Sequence, residues 1–160
     1  MIDPQEEEPN LKGTNDGETD LRLEAMKGIF NGDKQLYVHA NYIKEISDII
    51  NFKKKYKIAH LCIVGGYDSW MVAKRLKENN ISIMLTRVHG LPKRDHDDIH
   101  LPFKLPGMLA KEGVLFCIQN AGDMEQMITR NLPFMVGTAI AYGLEYEKGV
   151  ASVTLNAAKI

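Results

Sequence analysis

An α/β fold, a parallel β-sheet with flanking helices, is what this sequence predicts. Four stretches read as buried strands: QLYVHA (35–40), IAHLCIVGG (58–66), ISIMLTRVHG (81–90) and GVLFCIQNAG (113–122). Each is followed by a helix-like stretch, and strand-then-helix units in series imply a parallel sheet with right-handed crossovers. The run Leu61 to Val64 is continuously apolar, the pattern of a strand covered on both faces.

The elements follow in order. Residues 1–19 hold Pro4, Glu6 to Glu8, Pro9, Gly13 and Gly17 with few apolar groups. Such a segment cannot repay its ordering entropy, so a flexible acidic N-terminal segment is expected ahead of one domain over 20–160. Asp20 reads as the N-cap of a helix over LRLEAMKGIF that ends at Gly32–Asp33. After the first strand, Ile43, Ile46, Ile49, Ile50 and Phe52 mark one face of a helix over 41–56. Asp68 or Ser69 is positioned to cap the helix SWMVAKRLKENN. The stretch LPKRDHDDIHLPFKLP, with three prolines and mixed charge, reads as a long loop, a length that is uncommon unless functional. Helices then follow the fourth strand over DMEQMITRN, PFMVGTAIAYGL and EYEKGVASVTLNAAKI, with Pro133 at a helix start.

Bulk properties exclude several classes. At 160 residues the chain suits one domain with a sizeable core. A net charge of −1 gives no electrostatic footprint for nucleic acid or for an anionic membrane. The one basic run, Lys53 to Lys55 with Lys57, closes a helix, where cations offset the dipole. No apolar run reaches the ~20 residues that span a bilayer, and no signal peptide is visible, so a cytoplasmic location is expected for the chain as it stands. Cys62 and Cys117 both fall within strands and read as small buried hydrophobes.

Functional groups of strand-then-helix proteins gather where strands end. Those ends hold His39, Gly65–Gly66, His89 and Asn120. His39 has two readings: an imidazole projecting into a catalytic mouth, or a structural histidine bonded to a backbone carbonyl. Gly65–Gly66 reads as a tight turn or as a cradle whose N–H groups hold an anion, although GGYDS is neither GxGxxG nor a Walker loop. His89, with Arg87 beside it, precedes the cluster DHDDIH. That cluster has metal-binding residue types without a fixed metal-binding spacing, so a solvated loop is its other reading. The fourth strand ends CIQNAGD, with Asn120 and Ala121 where a metal hydrolase would use an aspartate, and Asp123 at a following helix start. No GxSxG occurs and neither cysteine opens a helix, which argues against serine or thiolate nucleophiles.

Taken in order, DLRLEAMKGIFNGDKQLYVHAN, IVGGYDSWMVAKRLKENNISIML, VHGLP, LPFKLPGMLAKEGVLFCIQNAG, RNLPFMVGTAIAYGL and TLNAAKI resemble the amidohydrolase superfamily in its imidazolonepropionase-related branch, from about Asp20 to Ile160. The resemblance implies the (βα)4 C-terminal half of a TIM-like (β/α)8 barrel. It implies a metal-dependent hydrolase of C–N bonds in amides or cyclic amides, with the isolated chain not catalytic. His39 matches the fifth-strand histidine ligand, Gly65 stands at the sixth-strand ligand position, and Asn120 or Ala121 at the eighth-strand aspartate. The implied cofactor is a divalent metal, zinc, with His39 and a substituting His89 as candidate ligands. Gly65, Gly66 and Asn120 are the candidates for holding a small-molecule ligand or substrate. Four strands cannot close such a barrel, so a homo-oligomer, or pairing with the missing barrel half, is expected. The alternative is a non-enzymatic ligand-binding or interaction module with a degenerate metal site. A third reading is a flavodoxin-like domain with a phosphate at Gly65–Gly66.

Overall fold

Asp20 caps the first helix as its position predicts: its carboxylate accepts the Arg22 N–H at 2.8 Å. The computed structural model describes residues 20–86, 88–120 and 125–160. The segment 1–19, Arg87, Ala121 and Asp123 lie outside the described residues. Helix α1 (Leu21–Asn31) ends at Gly32, whose φ of +86° few other residues adopt. Strand β1 (Leu36–Ala40) leads to α2 (Ile43–Tyr56), which carries Lys53, Lys54 and Lys55 in its last turn. Strand β2 (Leu61–Gly65) leads through a 3-10 turn (Ser69–Val72) into α3 (Ala73–Glu78). Strand β3 (Ile81–Thr86), α4 (Leu101–Lys111) and β4 (Phe116–Gln119) follow. A 3-10 segment (Glu125–Asn131) precedes α5 (Leu132–Ala141), α6 (Tyr146–Ser152) and α7 (Leu155–Lys159).

Two boundaries differ from expectation. The third strand stops at Thr86 rather than running to Gly90, because its neighbours end there: β2 pairs only as far as Leu85 and β4 only as far as Thr86. His89 therefore lies three residues beyond the strand. The proline-rich stretch also stops being irregular at His100, since Leu101 to Pro106 form the first half of α4. Pro102 sits in the first turn, where a missing N–H costs nothing. Pro106 sacrifices a helical bond, worth about 3 kcal/mol with its steric clash. Burial of Leu101, Leu105 and Leu109 offsets this, at roughly 1.5–3 kcal/mol for each leucine.

The strands form one parallel sheet in the order β1-β2-β3-β4. Right-handed crossovers in a sheet that never reverses order put every connecting helix on the same face. Burial agrees. Alternate residues Leu61, Ile63, Ile81, Ile83, Leu85, Phe116 and Ile118 join the helices in the main hydrophobic cluster. The other face carries Tyr37 and His39, Cys62 and Val64, Met84 and Thr86, Cys117 and Gln119, by the two-residue alternation of strands. Along it His39, Val64, Met84 and Cys117 share one register level. A flavodoxin-like sheet instead reverses direction at a switch point and takes helices on both faces, so the strand order corrects that third reading. No helix among the described residues is long and apolar enough to cross a membrane.

Candidate functional site

A cavity of about 710 Å³ opens at the carboxyl ends of the strands. Its floor is Leu85, Thr86, Gln119 and Asn120 from the ends of β3 and β4. One wall is Asn41, Gly65 and Tyr67 from the first two strand-to-helix connections. Val88, His89, Gly90, Leu91 and Lys93 form another, and Pro102 and Leu105 of α4 close the side.

Of the candidates read from sequence, Gly65, His89 and Asn120 line this cavity together. Gly66 and His39 are not among its lining residues. His39 is exposed, on the face of β1 that the helices leave uncovered. Gly66 serves the turn itself. Its φ is +70° and a Cβ there would sit 2.8 Å from Ile83 Cγ2. Its N–H donates to Ala40 O at 2.7 Å, and the Asp68 N–H donates to Asn41 O at 2.8 Å. These two amides are already bonded to the protein, which leaves the tight-turn reading of Gly65–Gly66 with the direct support.

His89 is fixed by a residue the sequence reading missed. Its Nε2 lies 2.7 Å from Thr138 Oγ1, and the Thr138 hydroxyl donates to Phe134 O at 3.1 Å. With that hydroxyl hydrogen committed, Thr138 accepts from Nε2–H, and Nδ1 is the imidazole nitrogen with a lone pair. Phe103 packs edge-on to the ring, with centroids 6.3 Å apart. Thr138 belongs to α5, far from any strand end in sequence, so position along the chain gave no signal for it.

Gln119 is the second residue missed. It lines the cavity, and both polar atoms of its carboxamide are buried without a hydrogen-bond partner among the described residues. An unsatisfied carboxamide of this kind carries two N–H donors and a carbonyl oxygen with two acceptor lone pairs. Alternation along β4 was the available signal, because Gln119 shares a face with Cys117.

The DHDDIH cluster builds neither a metal site nor a merely solvated loop. Arg94 pairs with Asp68, Tyr67 Oη donates to Asp97 at 2.7 Å, and Asp98 accepts the His100 N–H at 2.9 Å while pairing with Lys104. Burial pushes the Tyr67 phenol pKa up, so its hydroxyl stays protonated and available to donate. Asp68 does not cap the helix that follows it. It is fully buried and bonds Ile43 N–H at 3.1 Å instead, serving the start of α2. Glu45 adds two more bonds there, from Asn41 N–H at 2.9 Å and Tyr42 N–H at 3.1 Å, which hold its carboxyl below the usual range.

The donor set does not fit the metal the resemblance implies. A catalytic zinc takes three protein ligands and keeps one position open. Among the described residues no three His, Cys, Asp or Glu side chains gather closely enough to hold an ion. The cavity lining has one histidine and neither carboxylate nor thiol. Cys62 and Cys117 are free, buried and held protonated, the Cys117 thiol being pushed up to about 11 by burial and by the nearby Cys62.

No known family model matches the chain, and no curated protein does. Among solved structures it is similar to an amidohydrolase from Thermotoga maritima MSB8, with a TM-score of 0.75 and 22% sequence identity. The match covers 89% of this chain and 36% of that one, so the chain spans about a third of that protein's length. At this identity the likeness is one of fold.

Proposed function

We propose that residues 20–160 are the C-terminal (βα)4 half of an amidohydrolase-type barrel, in the imidazolonepropionase-related branch. The completed barrel hydrolyses C–N bonds of amides or cyclic amides. The isolated chain contributes the pocket that holds a small polar ligand and does not turn it over. The observation that carries this reading is the cavity at the carboxyl ends of a singly wound parallel sheet, where barrel enzymes keep their active sites. The amidohydrolase likeness of the fold supports the reaction class.

In that pocket this chain's residues bind and orient. Gln119 offers a donor and an acceptor side by side, which match the N–H and C=O of an amide group. His89 brings an imidazole to the lining, its ring held by Thr138. Leu85, Val88 and Leu105 supply an apolar surface for the ligand body. Among the described residues the donors do not form a set for a metal. The two sheet edges, β1 and β4, are completed by further strands, from a second copy or from the missing half of the barrel.

A second reading, a non-enzymatic binding module, is favoured by the lining, which among the described residues holds no carboxylate to activate water. Backbone and side-chain NMR during titration with succinimide, hydantoin and acetamide tests the site, and product analysis of the same samples tests turnover. Shifts centred on His89, Gln119 and Asn120 without product are expected. An absence of shifts there with all three probes refutes the pocket, and turnover by the isolated chain refutes its inertness.

A further inference from the structure

We propose that Asp68 and Arg94 form a latch that holds the segment 88–100 closed along the cavity, which makes both of them positioning residues of the site. The inference rests on the reading above that this cavity is the functional one. Asp68 is fully buried, immediately after the Gly65–Gly66–Tyr67 turn. The Arg94 guanidinium forks onto it: Nη1 donates to Oδ1 at 2.9 Å and Nη2 donates to Oδ2. The same Oδ2 accepts Ile43 N–H at 3.1 Å, one of the first-turn donors of α2 that has no partner within the helix. One carboxylate therefore ties together three strand-to-helix connections, and each of the three contributes wall to the cavity.

What holds the segment is side-chain chemistry. Among the described residues, no main-chain hydrogen bond joins 88–96 to another element; the bonds that Arg94 and Asp98 carbonyls accept come from Asp97 and Leu101, within the segment or at its junction with α4. Its attachments include His89 to Thr138, Lys93 N–H to Tyr67 Oη at 3.0 Å, Tyr67 Oη to Asp97 at 2.7 Å, and the Arg94 fork, with Val88 buried in the hydrophobic cluster at its start. The Arg94 guanidinium carbon lies 5.5 Å and 5.8 Å from the ring centroids of Tyr42 and Tyr67, and Lys93 Nζ lies 5.4 Å and 5.5 Å from the same two rings. These rings, one on the first connection and one on the second, orient both cations over the pair. Between the two anchor points Leu91 stands 81% exposed. A planar bidentate fork onto a buried carboxylate is directional in a way that a lysine cannot reproduce. Releasing it frees the wall that carries His89 and Lys93 while leaving the sheet and its hydrophobic cluster intact.

The test compares wild type with the double variant Asp68→Asn/Arg94→Gln, which removes both charges so that neither is left buried alone, and with Arg94→Lys. Hydrogen exchange by mass spectrometry reads residues 88–97 against β2 and β3, and imidazole nitrogen chemical shifts read the His89 tautomer. Trp70, the single tryptophan and two residues from Asp68, reports by fluorescence. The double variant is expected to exchange at least tenfold faster in 88–97 with β2 and β3 unchanged, and to lose the fixed Nε2–H signature of His89. Arg94→Lys is expected to behave like the double variant. Unchanged exchange in 88–97, or a rise of equal size in β2 and β3, overturns the latch. Full retention of closure by Arg94→Lys also overturns it. All of these readouts are made without ligand. A wild type that closes this segment but binds none of the amide probes thus defeats the functional reading alone.

Discussion

Replacing Gly66 with alanine tests whether the turn at the end of β2 is built by backbone geometry. At φ +70° an alanine pays roughly 1–2 kcal/mol for the left-handed conformation. Its Cβ would also lie 2.8 Å from Ile83 Cγ2, inside van der Waals contact with a side chain that is itself fully buried. Overpacking of that kind adds roughly 1–3 kcal/mol, so the expected loss is about 2–5 kcal/mol. Gly65→Ala should be at least as costly. Its φ is +112°, and its Cβ would meet the backbone oxygen of Ala40 at 2.8 Å, an atom that cannot rotate away because it accepts the Gly66 N–H. Gly137 is the control: it lies within α5 with nothing within 4 Å of an added Cβ, and alanine there should stabilise by roughly 0.5–1 kcal/mol. Urea unfolding followed by circular dichroism gives all three values, with stability read from the midpoint at constant slope. A loss below about 1 kcal/mol for Gly66→Ala, against that expected range, would refute the reasoning.

Three further expectations follow from the same geometry. Native Cys62 and Cys117 should resist a thiol reagent until the chain unfolds. Because the folded pKa of Cys117 lies at about 11, above that of an unfolded thiol, the unfolded state ionises first and stability falls as pH rises from about 9 towards 11. The decline should be smaller in Cys62→Ala/Cys117→Ala, and an identical pH profile for the two proteins would contradict it. Zinc titration by calorimetry should give no stoichiometric site in wild type; one-to-one binding abolished by His39→Ala or His89→Ala would restore the metal reading. Light scattering at micromolar concentration should report about twice the 18.0 kDa chain mass, and a clean monomer would remove self-association.

The strands were legible because each is a short apolar run bounded by glycine or charge, and all four lie where the sequence places them. Their ends were less legible. A ladder stops where its neighbours stop, so the Thr86 end of β3 depends on Gly65 and Gln119, residues far away in sequence. Helix α4 was hidden by its prolines, whose local penalty is outweighed by burial that only the folded core supplies. The strand-end reading named Gly65, His89 and Asn120, and these three line one cavity. It could not find Thr138, which reaches His89 from another helix. It also misassigned Asp68, because a buried carboxylate is indistinguishable in sequence from an N-cap until its partner Arg94 is brought beside it.

The sheet's two faces are unequal, and that inequality explains where chemistry remains unfinished. The helix-covered face is closed. The opposite face is buried at Cys62 of β2 and Cys117 of β4 and exposed at Tyr37 and His39 of β1. His39 is exposed on β1, the first strand of the sheet, and Gln119 on β4, the last, has a buried amide without a partner among the described residues. Leu36 N–H bonds to His60 O, towards β2, so by alternation the main-chain groups of Tyr37 and His39 point to the open side of β1. On β4, the Asn156 side chain takes the Phe116 carbonyl at 2.9 Å, which protects the start of that strand by a substitute bond. A neighbouring strand at each margin would pair these groups and give both His39 and Gln119 an adjacent inward-facing residue. An added strand thus answers the hydrogen-bonding demand of the edges and the isolation of the two polar side chains at once.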